Sequence, residues 1–124
     1  MAFNPPFCYS ACVVKSPQGE KVLLGLGNGT VLRVKRGDLK PMELSPELHQ
    51  QQITSMKHAK NLLLTCSTDK TIGMHSIKED GEFEGTTLKI QLEDKPTDLT
   101  TGHDPDHIYF SDVTGLISKL TLKQ

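Results

Sequence analysis

The 124-residue sequence predicts an all-β chain. Its apolar runs are short, β-branched or alternating, and bounded by Gly, Pro, Asn or Asp. A strand–turn–strand unit recurs along the chain at a near-constant spacing. No window places apolar residues at i, i+3, i+4 and i+7, and Ser45-Pro46-Glu47-Leu48-His49 is long enough for only a turn of helix.

The first strand is expected over Tyr9–Val14, and the stretch after it, VLLGLGNGTVLRV (22–34), holds Gly25, Gly27 and Gly29. A dinucleotide fingerprint needs Gly-x-Gly-x-x-Gly leading into a helix whose N-terminus holds the pyrophosphate. Here the spacing is Gly-x-Gly-x-Gly, and Thr30-Val31-Leu32-Arg33-Val34 is a poor helix and a good strand. Asn28-Gly29 between apolar alternations predicts a hairpin with a type I′ turn, because both residues tolerate positive φ.

The unit then repeats. NLLLTCSTDKTIGMHSI (61–77) has an apolar strand, the turn Ser67-Thr68-Asp69-Lys70 and a second strand, so that Ile72 matches Val31 at a distance of 41 residues. HIYFSDVTGLISKLTL (107–122) places Leu116 in that role, 44 residues further on. A short strand precedes each hairpin (Tyr9–Val14, Ile53–Lys57, Pro96–Thr100), and strand-like segments follow the first two, Leu39–Leu44 and Thr86–Leu92. Repeats of about 40–45 residues with four strands each are the signature of propeller blades. The chain 1–124 divides into blades at about 7–48, 49–92 and 93–122.

The central copy, LLLTCSTDKTIGMHSI, resembles the WD-repeat pattern, and HQQQITSM (49–56) resembles the element that opens the following blade. The resemblance implies about three degenerate four-stranded antiparallel blades of an incomplete WD-repeat-like β-propeller. It also implies a hydrogen-bonded network inside the blade, with His49 in the His role, Asp69 in the Asp role and Thr65 or Ser67 as the hydroxyl. The sequence departs from the pattern in Leu48, where Gly is usual, and in His75-Ser76, which replaces the Trp-Asp pair. The opening phrase Asn4-Pro5-Pro6-Phe7 is similar to that of a late blade in one group of the family. Propellers close with about 4–8 blades. The chain is therefore expected to be a piece of a larger propeller, or to close by pairing with a second copy.

Composition narrows the function. A formal net charge of -1 makes no overall case for nucleic acid or an anionic membrane as partner. There is no secretory signal, and the 3 cysteines suggest reduced thiols in the cytosol or nucleus. Cys8 and Cys12, on one face of a strand, and Cys66 are expected as core residues rather than a disulfide or metal site.

Three constellations could carry chemistry. His103-Asp104-Pro105-Asp106-His107 packs metal-ligand types together, but Pro105 and its place between strands suit a turn, and no metal or cofactor is expected. His49, Asp69 and Ser67 are the residue types of a catalytic triad, yet no nucleophile elbow or oxyanion loop accompanies them. Arg33, Lys35, Arg36 and Lys40 form a basic cluster, expected as a solvated outer face with RNA binding as the alternative.

The resemblance implies a non-enzymatic protein-interaction scaffold or adaptor, whose partners are proteins or peptides. The partner-binding loops are expected at Asn28, Gln50, Gln51, Gln52, Thr68 and Lys70. The alternatives are an RNA- or chromatin-associated propeller and a ubiquitin-ligase substrate receptor. For the latter, His75-Ser76-Ile77-Lys78 stands where that class carries Trp-Asp-x-Arg.

Overall fold

The computed structural model describes residues 7–37, 40–59, 61–101 and 107–121. The opening phrase before Phe7 and the His103–Asp106 part of the histidine–aspartate cluster lie outside the described residues. Eleven strands, and no helix, make up the described chain. They are β1 (Cys8–Val14), β2 (Lys21–Leu26), β3 (Val31–Lys35), β4 (Pro41–Leu44), β5 (Ile53–Ala59), β6 (Leu62–Ser67), β7 (Thr71–Ile77), β8 (Phe83–Gln91), β9 (Pro96–Thr101), β10 (His107–Asp112) and β11 (Ile117–Thr121). They form three antiparallel sheets in simple sequential order, β1-β2-β3-β4, β5-β6-β7-β8 and β9-β10-β11. The segment 45–49 is not helical; Leu48 N–H donates to the Gly29 carbonyl at 2.9 Å, which pulls it extended across the first hairpin.

The sheets stack face to face, with the innermost strand β1 packed on β5 and β5 on β9. The middle sheet is therefore covered on both sides, which explains the unbroken apolar run of β6. Successive side chains of a strand point to opposite faces. Leu63 joins Val14, Leu23, Val31, Ile53 and Ile77 in the core against the first sheet. Its neighbour Leu64 joins Cys66, Ile72, Leu99, Ile108 and Phe110 against the third.

The three hairpins close alike. Gly29 N–H donates to Leu26 O at 3.2 Å, Lys70 N–H to Ser67 O at 3.2 Å, and Gly115 N–H to Asp112 O at 3.0 Å. The three donors have φ of +83°, +69° and +88°. Asn28 has no positive φ, so the first hairpin has a three-residue loop ending in a left-handed residue rather than the expected type I′ turn. The same geometry corrects the third repeat. Cross-strand partners are Gly25 with Val31, Cys66 with Ile72 and Ser111 with Ile117, so Ile117 and not Leu116 matches Ile72. The three turns are equal in length, so the longer spacing of the third repeat arises before β10 and not within its hairpin.

Cys66 is buried in the core between the second and third sheets, and Cys12 packs against the core between the first two. Burial pushes both thiols up to about 11. Cys8 is exposed, because a register irregularity between Cys8 and Ser10 breaks the alternation of β1. No helix among the described residues is long and apolar enough to cross a membrane.

Candidate functional site

The polar centre of the molecule lies in the middle sheet. His49, midway along the β4–β5 connection, is 1% exposed and projects over β6 and β7. Its Nδ1 lies 2.8 Å from Thr71 Oγ1 and 3.2 Å from Asp69 Oδ2, and its Nε2 lies 2.6 Å from Thr65 Oγ1. Thr65 Oγ1 is in turn 2.8 Å from His75 Nε2, and His75 Nδ1 is 2.9 Å from Thr86 Oγ1 on β8. One continuous row of hydrogen bonds thus crosses the sheet from the β6–β7 turn to the outer strand.

The row has a direction. A carboxylate only accepts, so the Thr71 hydroxyl donates to Asp69 and its oxygen accepts from His49 Nδ1–H. His49 Nε2 then accepts from the Thr65 hydroxyl, Thr65 accepts from His75 Nε2–H, and His75 Nδ1 accepts from Thr86. Both imidazoles are neutral in this arrangement. Burial holds His49 below the usual histidine range in spite of the Asp69 charge. Burial, then the neighbouring His49 and Lys89, push His75 down to about 4. For Asp69, burial works against ionisation, but the Thr71 hydroxyl and the Gln50 N–H outweigh it and hold the carboxyl below its usual value.

Three of the four residues expected to form a network, His49, Thr65 and Asp69, come together. Ser67 does not join them: fully buried, its Oγ accepts the Asp69 N–H at 3.1 Å within the turn. Thr65 supplies the hydroxyl because it lies two positions further from the turn, level with the His49 ring. His49 Nε2 is occupied by Thr65 and Ser67 is bonded elsewhere, so these residues do not form the nucleophile–base pair of a triad.

Sequence reasoning missed His75, Thr71 and Thr86 as members of the network. The signal for His75 was its place where the repeat pattern has Trp, followed by the polar Ser76. Gly73 makes room for it: a Cβ there would lie 2.6 Å from His75 Nε2 and 2.9 Å from Thr65 Oγ1. In the other two sheets apolar residues fill the same places. Leu24 and Val34 of the first sheet, and Phe110 and Leu120 of the third, stand at the register positions of Thr65 and His75.

The expected loop residues gather at one end of the sheets. Gln50 N–H donates to Asp69 Oδ2 at 2.9 Å, the Thr68 hydroxyl donates to Gln51 Oε1 at 2.7 Å, and Lys70 O accepts the Leu92 N–H at 2.7 Å. Asn28, Gln50, Gln51 and Lys70 are exposed there, while Gln52 and Thr68 are half-buried.

Lys35, Arg36 and Lys40 of the basic cluster are exposed, as expected of a solvated face, but Arg33 is not. Arg33 is 8% exposed, inserted between the first two sheets, with Nη1 3.0 Å from Asp80 Oδ2 and Nε 3.7 Å from Glu43 Oε1. Arg36 pairs with Glu20 at 2.6 Å. Arg33 faces inward because it shares its sheet face with Leu23 and Val31, and sequence alternation alone does not say which face a second sheet will cover. The residues at the Trp-Asp-x-Arg position are likewise engaged within the sheet. His75 and Ile77 are buried, Ser76 donates to Glu84 at 3.0 Å, and Lys78 pairs with Glu82 at 3.6 Å. Among the described residues no group of three or more His, Cys, Asp or Glu is placed to hold a metal ion.

No protein-family model matches the chain, and no curated protein matches it by sequence. Its backbone is similar to solved structures. A chain in the humanized mutant of the Chaetomium thermophilum Polycomb Repressive Complex 2, bound to an inhibitor, matches with a TM-score of 0.81 at 13% identity, over 99% of this chain and 28% of that one. A chain in the Mitotic Checkpoint Complex matches with a TM-score of 0.71 at 16% identity, over 90% and 33%. The computationally designed Ika8 protein matches with a TM-score of 0.64 at 21% identity, over 82% and 30%. The chain thus spans about a third or less of the length of these structures, and at such identities the likeness concerns the fold alone. That fold is all-β, made of antiparallel β-propeller blades.

Proposed function

We propose that the chain is a non-enzymatic protein-interaction module of WD-repeat type, three blades of a larger propeller that presents proteins or peptides with a rigid rim of loops. The observation that carries this reading is the use made of the polar centre. His49, Asp69, Thr71 and Thr65 bond one another and clamp the β4–β5 connection onto the β6–β7 turn. Exposed Asn28, Gln50, Gln51 and Lys70 then stand on a backbone whose conformation is already set, which lowers the ordering cost of binding. Free thiols fit a reducing compartment, cytosol or nucleus.

A displayed random-peptide library, selected against the folded chain, tests the reading. Binding of the selected peptides should fall at least tenfold in Gln50→Arg and Lys70→Asn, with thermal stability no lower than that of the parent chain. Peptides that bind both variants as well as the parent chain would place the interaction elsewhere and remove the rim as the site.

A further inference from the structure

Arg33 carries its charge into the seam between the first two sheets, and only part of its guanidinium is matched there. Nη1 reaches Asp80, with Oδ2 at 3.0 Å and the carbonyl oxygen at 3.4 Å. Nε is buried and makes no hydrogen bond among the described residues. Glu43 Oε1 lies 3.7 Å from it, too far for a direct bond, and already accepts the Phe83 N–H at 3.0 Å. A buried N–H without an acceptor forfeits the hydration it had in the unfolded chain. A polar pair held just beyond bonding distance is where a bridging water belongs.

The space for one is present. A cavity of about 10 Å³ lies in the seam, with Leu23, Val31 and Leu63 on its apolar side and Arg33, Glu43 and Ser45 as its polar lining. That is room for a single water, provided that several polar groups meet it. They do so in the right senses. The Arg33 Nε–H is a donor and the Glu43 carboxylate an acceptor. Ser45 Oγ donates to Pro46 O and accepts the Val31 N–H, both at 2.8 Å, and keeps one lone pair. The charges exclude other occupants: the guanidinium repels a metal ion, and the Glu43 and Asp80 carboxylates repel an anion.

We propose that this cavity is a binding site for one structural water, which bridges Arg33 and Glu43. The water accepts the Arg33 Nε–H, donates one hydrogen to the Glu43 carboxylate and donates the other to Ser45 Oγ. It thereby links β3 to β4 and to the start of the β4–β5 connection, at the place where Arg33 also reaches Asp80 of the second sheet. The site lies wholly between two sheets of the described chain, so its walls are complete without any further strand.

Solution NMR of the full chain tests it. A water held longer than the molecule takes to tumble gives cross-peaks of opposite sign in NOESY and ROESY spectra. Such peaks are expected between the water line and the methyl groups of Leu23, Val31 and Leu63. Oxygen-17 relaxation dispersion, which does not respond to labile hydrogens, should report a long-lived water in the parent chain. Arg33→Met keeps the aliphatic stem and removes the guanidinium, so both signals should be lost in it. Absence of the methyl cross-peaks from the parent spectrum would overturn the proposal, whether or not the variant folds. Cross-peaks and oxygen-17 dispersion that persist undiminished in folded Arg33→Met would overturn it as well, since the water would then be held without Arg33.

Discussion

His49 and His75 meet edge to face, ring centroids 6.4 Å apart, and share one hydroxyl: each Nε2 is bonded to Thr65 Oγ1, at 2.6 and 2.8 Å. A buried hydroxyl that donates to one imidazole and accepts from the other makes the middle sheet's network a single unit rather than two independent pairs.

Removing that hydroxyl strands two ring nitrogens at once. Thr65→Val keeps the shape and the β-branch, so the loss isolates the hydrogen bonds. We expect a destabilisation of about 2–4 kcal/mol in denaturant unfolding, with Thr65→Ser close to the parent. Equal stability of the parent and Thr65→Val chains would mean that the network contributes nothing net.

The histidines also set an acid limit. The folded-state pKa of His75 is lowered to about 4 from 6.5, so between these values the unfolded chain takes up a proton that the folded chain refuses. Stability is whole above about pH 6.5 and falls as pH drops toward 4, by an amount on the order of 3 kcal/mol. The lowered pKa of His49 acts in the same direction, and that of Asp69 extends the loss below its ordinary value of 3.8. His75→Phe should flatten the slope between pH 6.5 and 4, and an unchanged slope would assign the acid sensitivity elsewhere.

Arg33 ties the first sheet to the β7–β8 turn through Asp80, while its Nε makes no hydrogen bond among the described residues. Arg33→Ala is expected to lower stability by about 2 kcal/mol, less than a fully buried pair because both carboxylates are partly solvated. If the cluster acts on nucleic acid instead, Lys35→Glu with Arg36→Glu will change retention on an RNA column. We expect no change.

Two turn positions should respond in opposite ways. Gly29 has φ +83°, and a Cβ there would collide with the His49 carbonyl oxygen, so Gly29→Ala should cost more than about 2 kcal/mol. Lys70 holds the matching left-handed place with φ +69° and a side chain that strains it. Lys70→Gly should raise stability by up to about 1 kcal/mol. A thermal scan of both variants reads the two signs directly.

Local chemistry made much of this protein legible before any folding. Glycine, Asn and Asp at the turns and β-branched runs between them specify strands and hairpins through backbone preferences that act within a few residues. His49 and Asp69 could be named as partners through the resemblance of the central copy to the WD-repeat pattern, which implies that the two roles meet. What the sequence by itself did not decide is which side of each strand a neighbour covers. Arg33 and Leu23 share a face that becomes an interior only when the second sheet packs on it. Thr65 rather than Ser67 meets His49, and His75 completes the row, because the register of β6 and β7 sets those side chains at one level. That Ile117 and not Leu116 matches Ile72 is likewise set by cross-strand pairing. Period-2 alternation sorts residues into two sets, but only the packing of one sheet on the next decides which set is buried, and burial is what turns a histidine, an arginine or a threonine into part of the interior.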